Sequence, residues 1–348
     1  MKIYEAASYI AIFGFASTLL TNSFLISLTI WKIKQITGTY KWMIVIFAII
    51  GIIFSIVEVT TKPCVHNFNG AFMFFSLNLY LPKWLMSIGV ACYGGFFCSL
   101  LAFVTMQFLF RCWTLVDSNL VGTFRGFWVL FWALFVIFPC AFFAALNLFL
   151  VHPDEYSDGY LEEEILEIYE LPIQDIPRFI MIVYGENDEV RWKNVSFVIS
   201  VSTFLSLSLL TIAYCAFRMR KEMNNCIQLM SRKNQKLETQ FFYALLAQSA
   251  FPTCLLALPT GPVMLLPFFN LKISLQSGML PSLISLYPPM DSIAMMLIIK
   301  EYKGCILDLM GRSRSSSSVT QSEIVVEVIS ASEYGVTRGD ERYACTTV

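Results

Sequence analysis

Seven long runs of this sequence are almost free of charge. Residues 6–30, 84–110, 126–151, 195–217 and 239–259 contain no Asp, Glu, Lys or Arg. Residues 42–61 contain only Glu58, and 273–299 only Asp291. A helix needs about 20 apolar residues to cross a hydrocarbon core of roughly 30 Å, and each run is long enough. In lipid the backbone must satisfy its own hydrogen bonds, so a helix is the natural solution. The pattern predicts an all-α fold, a seven-transmembrane helical bundle over residues 1–303, with a disordered Ser-rich tail over 304–348. Only 14% of the 348 residues are charged, against about a quarter in soluble domains.

Two further uncharged stretches bear on the count. Cys64 to Pro82 holds Asn67, Asn69, Gly70 and Asn78, which suits a loop touching the interface better than a lipid-facing helix. Beyond residue 259 the chain is broken by Gly261, Pro262 and Pro267 and reads as a short apolar turn. The first run is too long for a cleaved signal and is expected to act as an uncleaved anchor.

Lys and Arg accumulate in cytosolic loops. With the N-terminus outside and the C-terminus inside, 17 of the 24 Lys and Arg residues fall on inner segments. Arg218, Arg220, Lys221, Arg232, Lys233 and Lys236 make the third inner loop basic, which suits an acidic partner surface or anionic lipid headgroups. The loop 152–193 carries twelve of the 25 acids. It reads as a solvated loop or as a vestibule attracting cations. Ser157 or Asp158 is expected to cap a short helix there, running through Glu170.

Charges inside a bilayer are costly, about 2.5–3.5 kcal/mol at mid-helix. Asp291 is expected to face the bundle, and Glu58, about one turn from the outer end of its span, either to snorkel to the outer interface or to face the bundle. Pro288 and Pro289 remove two helix donors beside Asp291 and predict a kink, as do Pro139 and Pro252. Asn194 opens a glycosylation sequon that abuts the membrane, where occupancy is not expected. Cys64 is the only cysteine clearly in an outer loop, and a bridge to Cys92 is conceivable. Cys305 follows the last span and is a candidate for palmitoylation. Thr346 to Val348 fits the terminal pattern of PDZ ligands. No nucleotide loop, catalytic triad or metal spacing occurs, so no enzyme activity, cofactor or metal is expected. A net charge of -1 gives no footprint for nucleic acid.

Several segments resemble one family. They are SIVEVTTKPCVHNFNGAFMFF (55–75), MQFLFRCWTLV, TQFFYALLAQSAFPTCLLALP and LYPPMDSIAMMLIIKEYK. Together they are similar to the nematode serpentine chemoreceptors of the Str type. Glu58, Pro63, His66, Gln248, Pro252, Pro289 and Asp291 match that pattern. At the end of span three Arg111 matches, while Phe110 and Cys112 replace the family's tyrosines. The resemblance implies a G-protein-coupled receptor for small environmental molecules, at the plasma membrane of chemosensory cilia, partnered by a heterotrimeric G protein. The ligand pocket is expected among Glu58, His66, Met86, Val90, Tyr93 and Phe97. Arg111, Pro252, Pro289 and Asp291 are the expected switch residues. A ligand-gated channel, a transporter, or a peptide receptor in the same fold are the alternatives.

Overall fold

The computed structural model describes residues 3–33, 36, 38–116, 118–226, 232–254, 258–269, 274–275, 278–309 and 311. Of the expected tail, residue 310 and residues 312–348, with Thr346 to Val348 among them, lie outside the described residues, as does the link 227–231. Twelve α-helices are described. They are α1 (Ile3–Ser27), α2 (Gly38–Thr61), α3 (Lys83–Val116), α4 (Ser118–Val121), α5 (Trp128–Leu150) and α6 (Glu155–Tyr169). Then follow α7 (Trp192–Cys226), α8 (Arg232–Pro252), α9 (Leu258–Leu265), α10 (Met279–Ile284), α11 (Tyr287–Ile298) and α12 (Lys300–Leu309). Strands β1 (Pro63–Phe68), β2 (Ala71–Ser76), β3 (Arg178–Ile182) and β4 (Ser274–Leu275) form an antiparallel sheet, ordered β3-β2-β1-β4.

By length and composition five described helices can cross a membrane: Ala6–Lys32, Gly38–Thr61, Lys83–Val116, Trp128–Leu150 and Trp192–Asn224. The pair Leu280–Ile298 and Lys300–Leu309, bent by 91°, raises this to six if counted as one span. The seventh expected run, 239–259, falls on α8 and α9, and residues 255–257 between them lie outside the described residues. The side chains facing outward from α5 include Phe131, Leu134, Phe138 and Phe149, all exposed, as a lipid-facing helix requires.

Cys64 to Pro82 is not a featureless loop. Residues 63–76 fold back as a hairpin, with Cys64 opposite Phe75 and His66 opposite Met73. Asn69 and Gly70 take φ of 44° and 82°, the paired left-handed geometry of a two-residue hairpin turn. Neither the sheet nor this turn was expected from the sequence, although Asn-Gly between apolar residues is its usual signal. The sheet is apolar on both faces because both are covered. Val65, Phe72, Phe179 and Met181 point into the helical bundle, while Cys64, Met73, Phe75, Ile180 and Ile182 pack under α6.

The acidic loop supplies that cover. Leu161, Ile165 and Tyr169 form a buried stripe on α6, four residues apart as a helix face demands. The cap lies earlier than expected. Asp154 accepts from the Ser157 backbone N–H and the Ser157 hydroxyl closes a capping box, while the helix ends at Tyr169 with Glu170 left-handed. Arg178 pairs with Asp158 and Arg191 with Asp154, tying the loop's acids to the sheet and to the start of α7.

The last span breaks rather than kinks. Helix α10 ends at Ile284 and α11 begins at Tyr287, so Pro288 and Pro289 sit in a first turn, where a missing N–H costs nothing. Pro139 lies inside a continuous α5. Pro252 closes α8. Gly304 and Cys305, expected in the tail, lie within α12, and Cys305 is half-buried against the core. Asn194 is buried and its amide donates to Ile182 O at 2.7 Å, so the nitrogen a glycan would take is already used in the fold. Cys64 and Cys92 are both free thiols.

Replacing Gly70 by Val puts a β-branched residue at positive φ, a penalty of about 1–2 kcal/mol. The expected outcome is a lower melting temperature of the purified protein and faster hydrogen exchange in 63–76, with the Ala variant milder.

Candidate functional site

Beneath the sheet the helices part around a cavity of about 260 Å³. Its roof is Val65, Phe74 and Met181. Its walls are Tyr93, Phe97 and Leu101 of α3, Phe143 and Asn147 of α5, Val198 and Val201 of α7, and Pro281 and Ile284 of α10. Thr253, just past α8, also reaches it. The polar groups are few and mostly spoken for. Asn147 donates to Phe143 O at 2.9 Å and Thr253 to Ser249 O at 2.8 Å. The volume lies just below the roughly 300–1,000 Å³ of drug-sized pockets, so the space suits a small, largely apolar molecule.

The six residues expected in a pocket are only partly brought together. Tyr93 and Phe97 line the cavity. Val90 is buried in the layer beneath the sheet. Met86 is buried a turn earlier on α3 and does not line the cavity. Glu58 stands behind Tyr93, whose hydroxyl lies 3.4 Å from Glu58 Oε1 and 3.2 Å from Pro281 O. His66 points the other way, because alternation along β1 puts it on the α6 side. Its Nε2 is 3.4 Å from Glu164 Oε1, and its ring meets Tyr169 edge-on at 5.8 Å. Burial holds the His66 imidazole below its ordinary pKa, against the opposing pull of Glu164. Burial likewise pushes the Cys64 thiol up to about 12, so Cys64 is a packed apolar group rather than a reactive one.

Midway along the bundle a polar layer joins four helices. Gln248 of α8 donates to Asp291 Oδ2 at 3.1 Å. Ser292 donates to Asn22 Oδ1 at 2.6 Å, and Asn22 donates to Ala48 O at 2.9 Å. Gly51 permits this approach, since a Cβ there would stand 2.8 Å from Asn22 Nδ2.

At the far end from the sheet, Arg111 is buried between three helices. Its Nη1 lies 3.2 and 3.3 Å from the two carboxylate oxygens of Glu238. The guanidinium carbon stands 3.8 Å from the centre of the Tyr40 ring and 4.1 Å from that of Phe241. The charge is thus held by a carboxylate and two aromatic faces, each favourable where water is excluded. Next to this clasp, Gln240 Oε1 accepts from the Lys300 N–H at 2.9 Å, and Tyr302 and Thr29 hydroxyls meet at 2.7 Å. Tyr40, Phe241 and Glu238 escaped the sequence reading. The available signal was Glu238 itself, the only acid between Glu222 and Asp291.

The lowered pKa of His66 has a consequence for the cap. Above its ordinary value of 6.5 neither the folded nor the unfolded chain holds the proton. As pH falls below that value the unfolded chain binds a proton that the folded cap resists, so stability declines with falling pH. Melting temperatures between about pH 7.5 and about pH 5.5 should fall further in the wild type than in His66→Phe.

Comparison with known proteins agrees with this architecture. The profile of the family described as Serpentine type 7TM GPCR chemoreceptor Str matches residues 7–307. The chain is 36% identical over 338 residues to the G-protein coupled receptor str-33 of Caenorhabditis elegans, covering 95% of this chain and 97% of that protein. It is 25% identical to Serpentine receptor class r-10 of the same nematode, over 89% of this chain and 93% of the relative. The Caenorhabditis briggsae Serpentine receptor class r-10 is 24% identical, over 90% and 95% respectively. A mostly helical bundle with an apolar cavity at one end and a buried arginine clasp at the other is thus matched along nearly its whole length, and the chain belongs to the Str family of serpentine seven-transmembrane G-protein-coupled chemoreceptors.

Proposed function

We propose that a small, largely apolar environmental molecule binds the cavity beneath the sheet and releases the Arg111 clasp, opening a docking surface for a heterotrimeric G protein. One observation carries this reading. Helices α3 and α8 both lead from the cavity to the clasp. Tyr93 and Arg111, 18 positions apart on α3, are separated by about 27 Å at 1.5 Å per residue. The chain of α8 runs from Glu238 in the clasp through Gln248 in the polar layer to Thr253 at the cavity. A ligand that fits better when α8 has moved shifts the balance toward the open form by its differential affinity.

The sheet end faces outside in this reading, and the clasp faces the cytosol. The 17-to-7 division of basic residues supports it. The basic extensions of α7 and α8, with Arg218, Arg220, Lys221 and Lys236, then flank the clasp and suit an acidic partner or anionic headgroups. The proposed location is the plasma membrane of sensory cilia, and the proposed sense is olfaction. Helix α12 turns by 91° after α11 and would lie along the cytosolic membrane face, where a palmitoyl chain on Cys305 would anchor it. Thr346 to Val348 match the terminal pattern that a PDZ protein would bind. Peptide recognition by the acidic loop has less support, because α6 lies across the sheet from the cavity.

Replacing Glu238 by Gln removes the charge pair but keeps the shape. A loss of about 1.4 kcal/mol from the closed form corresponds to about tenfold more of the open form. Ligand-independent nucleotide exchange on a co-expressed G protein should rise by about that factor; unchanged basal exchange contradicts the clasp. Leu101→Trp fills the cavity far from the clasp. It should abolish ligand-stimulated exchange while surface expression and basal exchange stay at wild-type levels.

A further inference from the structure

A second cavity, of about 90 Å³, lies on the other side of Pro281 and is lined by Glu58, to which the Tyr93 hydroxyl reaches from the larger one. It is lined by Ala7 and Ala11 of α1, Glu58 of α2, Lys62, Cys64 and Pro281. Glu58 is only 1% exposed, and its Oε2 makes no hydrogen bond, because the hydroxyl of the neighbouring Ser285 is directed to Ser282 O instead. Lys62 reaches the same space, but its side chain is exposed, and it leaves that oxygen unsatisfied. An unpaired buried carboxylate oxygen is costly, by several kcal/mol in apolar surroundings. A volume near three times the roughly 30 Å³ share of a liquid water molecule leaves room for a small head group beside it.

The partition between the two cavities is thin. Pro281 lines both. Tyr93 has one hydroxyl proton and two acceptors, Glu58 Oε1 at 3.4 Å and Pro281 O at 3.2 Å. Both contacts are at the long end for an O–H···O bond, whose usual range is about 2.5–3.0 Å. The hydroxyl thus gives up only two long contacts when displaced, while the ring rests on Phe54 and Phe74 at 5.2 and 6.2 Å; a shift of that ring joins an apolar chamber to an acidic one.

We propose that the smaller cavity is a subsite for the ammonium group of a small primary amine, whose hydrocarbon chain occupies the larger cavity. The ammonium supplies what Glu58 lacks, a charge and donors for its free oxygen. It displaces the Tyr93 hydroxyl as it does so. This deepens the reading of the larger cavity as a ligand site and rests on it.

The test uses the full-length receptor in lipid nanodiscs, with n-hexylamine (protonated at neutral pH) and 1-hexanol as probes of equal chain length. Binding is read from concentration-dependent thermal stabilisation. The amine should bind at least about tenfold more tightly than the alcohol. Glu58→Gln should erase that preference while leaving hexanol binding unchanged. Ala11→Phe, which fills the small cavity and keeps the carboxylate, should erase it as well. Equal binding of amine and alcohol by the wild type overturns the proposal, and so does a preference that survives Glu58→Gln. Glu58-dependent amine binding without hexanol binding would uphold the subsite and contradict the apolar-cavity reading on its own.

Discussion

The guanidinium of Arg111 ties three helices together at the end of the bundle far from the sheet. Its neighbours are Tyr40 of α2 and both Phe241 and Glu238 of α8. A buried arginine is tolerable only when its charge is met by a partner and its faces by aromatic rings. Here both conditions hold, and both depend on where α8 stands. Moving α8 away strips the arginine of its carboxylate and one ring together. That makes the contact two-state rather than graded, the property a switch needs. The lesser contacts share the dependence, since Gln240 meets the start of α12 and Gln248 meets Asp291.

The opposite end is built for closure. A sheet in a membrane protein must have both faces and its edges accounted for. This one lays Val65, Phe72, Phe74, Phe179 and Met181 over the cavity or the layer beside it, and accepts α6 on its other face. The acids of the long loop therefore have a structural role. Asp154 caps α6 and pairs with Arg191, while Asp158 holds Arg178 in the β3 strand. The side of α6 carrying Leu161, Ile165 and Tyr169 is what makes a sheet this apolar soluble.

Much of the helical layout was legible in the sequence, because charge-free runs of more than twenty residues leave few options. Asp291 was also legible, as a charge that a bilayer does not tolerate without a partner, whereas Arg111 and Gln248 stood out only through the family resemblance. The sheet was not, although Asn69-Gly70 marks its turn. Residues 63–76 lack the polar-apolar alternation of a half-buried strand, because both faces are covered, and such strands read like any apolar run. His66 was expected in the pocket on the family resemblance alone, but one residue of register in a strand reverses the face. The partners of Arg111 come from helices far apart in sequence. Tyr40 and Phe241 are ordinary aromatic residues until the fold places them on either side of a cation.

The account stands on the linked movement of α3 and α8. Spin labels at the exposed residues Val116 and Lys236 report the gap between the two helices on either side of the clasp. Double electron–electron resonance on the receptor in nanodiscs, with and without a ligand that stimulates nucleotide exchange, measures that gap directly. A longer distance with ligand, reproduced without ligand by Glu238→Gln, is the predicted result. A distance that stays fixed while nucleotide exchange rises would contradict it.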